Sequence, residues 1–351
     1  MVEAIDAPLP PTSTTPQVQD ISLHGDDPPP RYIVRELPDL SPPSTTIPII
    51  DLSRLLSGDE DGGREELGEL KAALTSWGCF QLIGHGIPGE LLDEVQVSAK
   101  QFFRLPSEEK QMCFRPEDDV EGYGNDPILS DKQILDWSDR LLLKLVPEDT
   151  RKLHLWPTNP TQFREVVSGY SDELKRIVEA LMKAMARCVG LEEDCFLKQY
   201  GGKEMMMSRF NHYPVCPRPD VVLGVKAHSD GSGVTVLLQD DKVEGLQILK
   251  EGRWYGVPII PHALVVNVGD QMQIMSNEEF KSPIHRAVVN SERKRISLAA
   301  PSIPHDGNEI EPVEGLGSEE RPRLFRKVKY SGSIHLHHYP SGTRMIDDAR
   351  I

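Results

Sequence analysis

Three side chains in the second half of the sequence have types and spacing suited to holding a metal ion. In Ala227-His228-Ser229-Asp230-Gly231 an extended backbone alternates its side chains between two faces, so His228 and Asp230 point one way with Ser229 opposite. Farther on, Lys281-Ser282-Pro283-Ile284-His285-Arg286 offers a second imidazole. His, Asp and His on one side of a metal leave its other side open, a donor set that suits a non-haem ferrous ion working on oxygen. Arg295-Ile296-Ser297 then places two polar side chains on one face of an apolar strand. A buried arginine wants an anion, and its planar fork matches a carboxylate through two bonds. If no protein carboxylate serves, a ligand's must.

The His-x-Asp triplet is weak by itself, because it recurs by chance and a His–Asp hydrogen bond explains it equally well. Weight comes from its ordered companions, Asn211-His212-Tyr213-Pro214 before it and His285, Arg295 and Ser297 after it. A zinc hydrolase could also use His/Asp/His, yet it has no use for Arg295 and Ser297 so placed. His335, His337 and His338 form another histidine cluster, of a kind that near a terminus is more often solvated. His85, between Gly84 and Gly86, reads as a turn histidine bonded to backbone, and His212 as a neighbour of the site or a solvent residue.

The elements that must position these groups follow from periodicity. Leu67, Leu70, Ala73, Leu74 and Trp77 make a helical stripe over 64–77, Pro88 opens a helix reaching about 103, and a long amphipathic helix covers about 162–189. Residues 47–52 and 80–83 read as strands. The stretch 135–143 is another, with Trp137, Asp139 and Leu141 on one face and Asp136, Ser138, Arg140 and Leu142 on the other. From 205 onward short apolar strands alternate with turn residues, at 205–213, 223–228, 234–239, 246–250, 253–257, 264–268, 284–290 and 295–300. Such spacing indicates a sandwich or barrel, the jelly roll among them. The expected organisation is a flexible N-terminal arm over 1–45, a helix-rich region with strands joining the core over 46–204, a catalytic core over 205–305 and a C-terminal segment over 306–351. Within the arm, Arg31-Tyr32-Ile33-Val34 carries the few large apolar groups able to dock.

Composition narrows the function. The 351 residues carry 39 Lys and Arg against 55 Asp and Glu, a net charge of −16, with no basic stripe for a nucleic-acid backbone. Five widely spaced cysteines, with no CxxC pair, point to a reducing compartment and inert thiols. No window approaches the apolar length of a membrane span, and no secretory leader is visible. A cytoplasmic protein acting on a small molecule, with neither nucleic acid nor membrane as partner, is the expectation. P-loop and GxSxG motifs are both missing, so P-loop-nucleotide and serine-hydrolase readings lack support.

From about Ile47 onward the chain resembles the plant-type 2-oxoglutarate- and Fe(II)-dependent dioxygenases. The likeness rests on Ile47-Pro48-Ile49-Ile50-Asp51-Leu52, residues 77–87, Asn211-His212-Tyr213-Pro214-Val215-Cys216-Pro217-Arg218-Pro219, His228-Ser229-Asp230, Gly245-Leu246-Gln247, Asn267-Val268-Gly269-Asp270, residues 281–286 and Arg295-Ile296-Ser297. The resemblance implies an α+β fold whose core is a double-stranded β-helix, or jelly roll, with N-terminal and C-terminal helices packed on it. It implies Fe(II) on His228, Asp230 and His285, and 2-oxoglutarate held by Arg295, Ser297, Asn211 and Tyr213. Such enzymes convert 2-oxoglutarate and O2 to succinate and CO2 while hydroxylating or dealkylating a substrate, with ascorbate as the reductant in vitro, and they are commonly monomers. The segment 133–141 looks most like the branch that oxidises specialised metabolites and xenobiotics, which suggests a small, mostly apolar plant compound. Position within the resemblance puts Tyr123, Arg140, Leu142, Arg209, Ala300 and Pro301 around the substrate. Ala299-Ala300-Pro301 departs from the aromatic pair common there, as His212 departs from a more usual tyrosine. The first departure leaves open a different class of function, a small-molecule-binding or regulatory protein of weak activity.

Overall fold

The computed structural model describes residues 16–25, 27–35, 37, 47–57, 60–126, 128, 130, 132–202, 204–318, 321–329, 338–339 and 342–351. Helix α1 (Val18–Leu23) precedes strand β1 (Ile49–Asp51), α2 (Leu52–Leu55), α3 (Glu60–Ser76), β2 (Cys79–Ile83), α4 (Gly89–Arg104) and α5 (Ser107–Gln111). Strands β3 (Gly122–Gly124) and β4 (Asp139–Val146) lead to the long α6 (Phe163–Cys188) and the short α7 (Cys195–Gln199). The second half holds β5 (Met205–Tyr213), β6 (Leu223–His228), β7 (Val234–Leu238), β8 (Leu246–Lys250), β9 (Arg253–Gly256), β10 (Leu264–Val268), α8 (Asp270–Met275), β11 (Ile284–Val288) and β12 (Arg295–Ile303). A two-stranded pair, β13 (Glu309–Ile310) and β14 (Val328–Lys329), and α9 (Met345–Ala349) close the chain.

Eight strands form one sheet in the order β1-β2-β10-β7-β12-β5-β4-β3, and four form a second, β6-β11-β8-β9. The interleaved order, with β7, β10 and β12 in one sheet and β6, β8 and β11 in the other, is the jelly roll expected from the sequence. Strict alternation along each strand divides the large sheet's side chains between two layers. Val236, Leu238, Val266, Leu298 and Phe210 face outward into one core with Leu174, Ile177 and Leu181 of α6 and Phe102 of α4. Leu237 and Val265 face inward and meet Leu246 and Ile248 of the small sheet. Each large apolar side chain so buried contributes about 1.5–3 kcal/mol. The helices therefore back one sheet and stiffen it, while the space between the sheets is left for the site.

The predicted strands of the second half and helices of the first appear with ends shifted by a few residues, some shorter and some, as at 295–303, longer. The stretch 135–143 is a strand only from Asp139; before it, Trp137 is buried with its ring 5.2 Å from that of Tyr32. That contact, the Ile33–Val222 bridge and the capture of the Val18 and Gln19 amides by the Asp139 carboxylate (2.7 and 2.8 Å) seat the described part of the arm on the body. Val18 and Tyr32 are thus buried against the body. All five cysteines are free, four of them buried. Among the described residues no helix is long and apolar enough to cross a membrane.

Candidate active site

His228 ends β6 and His285 lies second in β11; the two are direct cross-strand partners, which brings their ring centroids to 4.3 Å. The register makes them neighbours despite their distance in sequence. Asp230 follows two residues after β6, and its Oδ1 lies 3.6 Å from Nε2 of each histidine. The loop that carries it is pressed against α8: the Asp270 amide donates to the Asp230 carbonyl at 2.8 Å. A Cβ on Gly269 would sit 1.9 Å from the Ser232 carbonyl oxygen, so only glycine allows that approach.

These groups fit a divalent ion. Nδ1–H of His228 donates to the Lys226 carbonyl (2.9 Å) and Nδ1–H of His285 to that of Pro283 (3.2 Å), leaving both Nε2 lone pairs aimed at a common point. Burial pushes the His285 imidazole down to about 4, so it is neutral at physiological pH. Burial alone would raise the Asp230 carboxyl, but His285 and His228 outweigh it and hold that group well below the ordinary carboxylate range. Its Oδ2 is buried without a hydrogen-bond partner. The three ligand atoms lie within 4.8 Å of one another, and donors at about 2.1 Å from one ion at right angles stand about 3 Å apart.

Arg295, on β12, pairs with Tyr213 on β5, and Ser297 pairs with Asn211, so all four project from the inward face. Arg295 is 3% exposed, its Nε has no partner, its Nη1 lies 3.4 Å from Ser297 Oγ, and its guanidinium stands 5.1 Å over the Tyr213 ring. No carboxylate among the described residues pairs with it. Gly245 makes the room: a Cβ there would fall 2.9 Å from Arg295 Cδ. A deeply buried cation lacking a protein anion is a receptor for a ligand carboxylate.

The residues expected around the substrate divide between the two faces. Leu142, Arg209 and Ala299 form one inward cross-strand row, with Arg140 and Asn211 in the next and Pro301 opposite Thr235. Tyr123 and Ala300 belong elsewhere. Ala300 is 1% exposed in the core beneath the helices, and Tyr123, opposite Leu141, packs its ring 5.6 Å from that of Phe102. Alternation is the reason, since positions 299 and 301, and not 300, share a face with Arg295 and Ser297. His212 is likewise outward, stacked on Phe103 at 5.0 Å and pushed down to about 3 by burial, hence neither a solvent residue nor a metal ligand. His85 is the expected turn histidine, with Nε2 2.8 Å from the His262 carbonyl and Nδ1 accepting from the Ile87 amide. His335 and His337 lie outside the described residues; His338 is 3.4 Å from Asp348.

Sequence reasoning missed Asp126 and Asp270. Asp126 accepts from Arg140 Nε (2.6 Å) and takes both Nη groups of Arg209 (2.9 and 2.8 Å), while Arg209 Nε holds Asn211 Oδ1 at 2.7 Å. Burial would raise the Asp126 carboxyl, and the two arginines hold it far below its usual range. A carboxylate within the sequence Gly-Asn-Asp-Pro gives no hint of partners so distant along the chain. Asp270 stood within a recognised motif without a role.

Residues 204–303 match the 2OG-Fe(II) oxygenase superfamily, and residues 47–159 match the family described as non-haem dioxygenase in morphine synthesis N-terminal. Codeine O-demethylase of Papaver somniferum is 40% identical over 285 residues, covering 81% of this chain and 79% of that protein. Oxoglutarate-dependent flavonoid 7-O-demethylase 1 of Ocimum basilicum is 38% identical over 300 residues, 85% of this chain and 79% of the relative. The crystal structure of JOX2 in complex with 2OG, Fe and JA superposes with a TM-score of 0.85 at 34% identity, covering 97% of this chain and 98% of that one. Likeness of that extent, over a site built for a ferrous ion and a keto acid, means that this chain belongs to the 2-oxoglutarate- and Fe(II)-dependent oxygenases.

Proposed function

We propose that this oxygenase hydroxylates or dealkylates a small, mostly apolar plant metabolite or xenobiotic. In this reading His228, Asp230 and His285 hold the iron, and Arg295, Ser297, Asn211 and Tyr213 bind 2-oxoglutarate. One observation carries the site assignment: a neutral imidazole, a second imidazole and an ionised carboxylate converge within 4.8 Å, set in the same inter-sheet space as an arginine without a protein anion. Iron and 2-oxoglutarate, when bound, supply the oxidising chemistry that turns 2-oxoglutarate and O2 into succinate and CO2.

The chain's own residues position and shield. The Lys226 and Pro283 carbonyls fix the tautomers of the two histidines. Arg295 and Ser297 take the carboxylate of the keto acid remote from the metal. Leu142, Arg209, Ala299 and Pro301 line the side toward substrate, with Arg140 behind them bracing Asp126. Ala299 and Pro301 leave room where aromatic rings would fill it, which favours a ring compound as substrate. The relatives named as O-demethylases support removal of an O-methyl group as one outcome. Free, buried thiols suit a reducing, cytoplasmic setting, and we take the active form to be a monomer.

The test is incubation of purified protein with Fe(II), ascorbate, 2-oxoglutarate and fractions of a plant metabolite extract, reading succinate. One or more fractions should raise succinate release above the uncoupled level. Release unaffected by every fraction would refute the substrate reading.

A further inference from the structure

The C-terminal segment reaches back to the metal-ligand loops, and one of its side chains bonds to several of them at once. Arg344, just before α9, donates Nε–H to Ser229 Oγ (3.0 Å), and its Nη2 to both Asp270 Oδ1 (2.8 Å) and the Ser282 carbonyl (3.3 Å). Each acceptor adjoins a proposed ligand. Ser229 lies between His228 and Asp230. Asp270 is 1% exposed, accepts from Ser229 Oγ at 3.1 Å, and donates its amide to the Asp230 carbonyl. Ser282 precedes Pro283, whose carbonyl orients His285. One guanidinium therefore ties together the two backbone segments that present the ligands and the start of α8, which braces one of them.

Its own position is secured from behind. Met345, Ile346 and Ala349 of α9 are buried in the helix-side core, and the Ile346 amide lies 3.4 Å from Asp270 Oδ2. On the same segment, Tyr339 sets its ring edge against His228 at 5.1 Å. The Arg344–Asp270 ion pair supplies the buried aspartate's countercharge, while the planar fork fixes two loops at once, which a flexible ammonium does less well.

We infer that Arg344 is a positioning residue for the metal centre, acting through Ser229, Asp270 and Ser282 to hold His228, Asp230 and His285 in register. The inference rests on the metal assignment above. Residues that orient metal ligands from outside the first layer typically change affinity by about 10–100-fold when lost.

The experiment is anaerobic titration of the metal-free full-length protein with Co(II), following the visible spectrum of the bound ion, with apo thermal stability in parallel. Wild type should bind one equivalent and Asp230→Ala none; failure of that comparison overturns the metal assignment itself. With it in place, Arg344→Ala should weaken Co(II) binding about tenfold or more, and Arg344→Lys should recover part of the loss. Ser229→Ala, which cuts the link to the ligand loop and leaves the Arg344–Asp270 pair, should weaken binding severalfold. It decides the matter if Arg344→Ala does not fold. Co(II) affinity within twofold of wild type in folded Arg344→Ala, or in Ser229→Ala where Arg344→Ala fails to fold, would overturn the inference.

Discussion

Replacement of Arg295 separates a ligand-binding role from a structural one, because the two predict opposite signs. The guanidinium is 3% exposed, its Nε is unpartnered, and its nearest support is Ser297 Oγ at 3.4 Å and the Tyr213 ring at 5.1 Å. In the apo protein it is a desolvated cation without a countercharge, an unfavourable arrangement. In the proposed complex with 2-oxoglutarate it gains a carboxylate through two charge-assisted bonds. Removing one member of a buried ion pair costs about 3–5 kcal/mol, and about 1.4 kcal/mol is a factor of ten. Arg295→Met should therefore weaken 2-oxoglutarate binding roughly 10²- to 4 × 10³-fold while raising apo thermal stability. Arg295→Lys keeps the charge and loses the fork, at a cost of about 1.5–3 kcal/mol for one charge-assisted bond. Gly245→Ala, whose Cβ would collide with Arg295 Cδ, should weaken binding in the same direction by less. The assay is anaerobic calorimetry with Fe(II) present, paired with apo melting curves. An unchanged 2-oxoglutarate affinity together with a lowered melting temperature in Arg295→Met would refute the reasoning and make Arg295 structural.

Two further outcomes follow from the geometry. Ala299→Phe fills the inward row beside Arg209 and Leu237, so an identified substrate should show a raised KM, with a larger share of 2-oxoglutarate turnover uncoupled from product; Ala300→Gly, on the other face, should leave KM unchanged and lower stability, and the reverse pattern would contradict the face assignment. His212 is neutral in the folded protein down to about 3, against an ordinary value near 6.5, so its contribution is present above pH 6.5 and is lost as pH falls toward 3. At pH 5 that loss is about 2 kcal/mol at about 1.4 kcal/mol per unit. Denaturant unfolding of His212→Phe should show a shallower decline from pH 7 to pH 5 than wild type, and parallel declines would show His212 to be indifferent to burial.

Local pattern carried much of this structure. Period-two strands after 205 and the amphipathic stripe at 162–189 reappear within a few residues, because each buries one face against a layer. The sequence singles out His228, Asp230, His285 and Arg295 because charged and polar residues among apolar strands require a reason. Ala300 and Tyr123 were misplaced for the opposite cause: their positions came from likeness, and the alternation that put Arg295 and Ser297 on one face already excluded 300. Asp126, Asp270 and Arg344 stayed hidden, since an ion pair between a turn and a distant strand, or between a helix start and a C-terminal segment, leaves no periodic trace. The seating of Val18, Gln19 and Tyr32 depends on such long-range contacts too, through the Asp139 carboxylate and the Trp137 ring.

The most direct test of the account is the iron stoichiometry of the wild type and Asp230→Ala, measured anaerobically with 2-oxoglutarate present, alongside succinate formation once O2 is admitted. One equivalent of iron and steady succinate release are expected of the wild type, with neither in the variant. Full iron occupancy with continuing 2-oxoglutarate decarboxylation in Asp230→Ala would contradict the proposed centre.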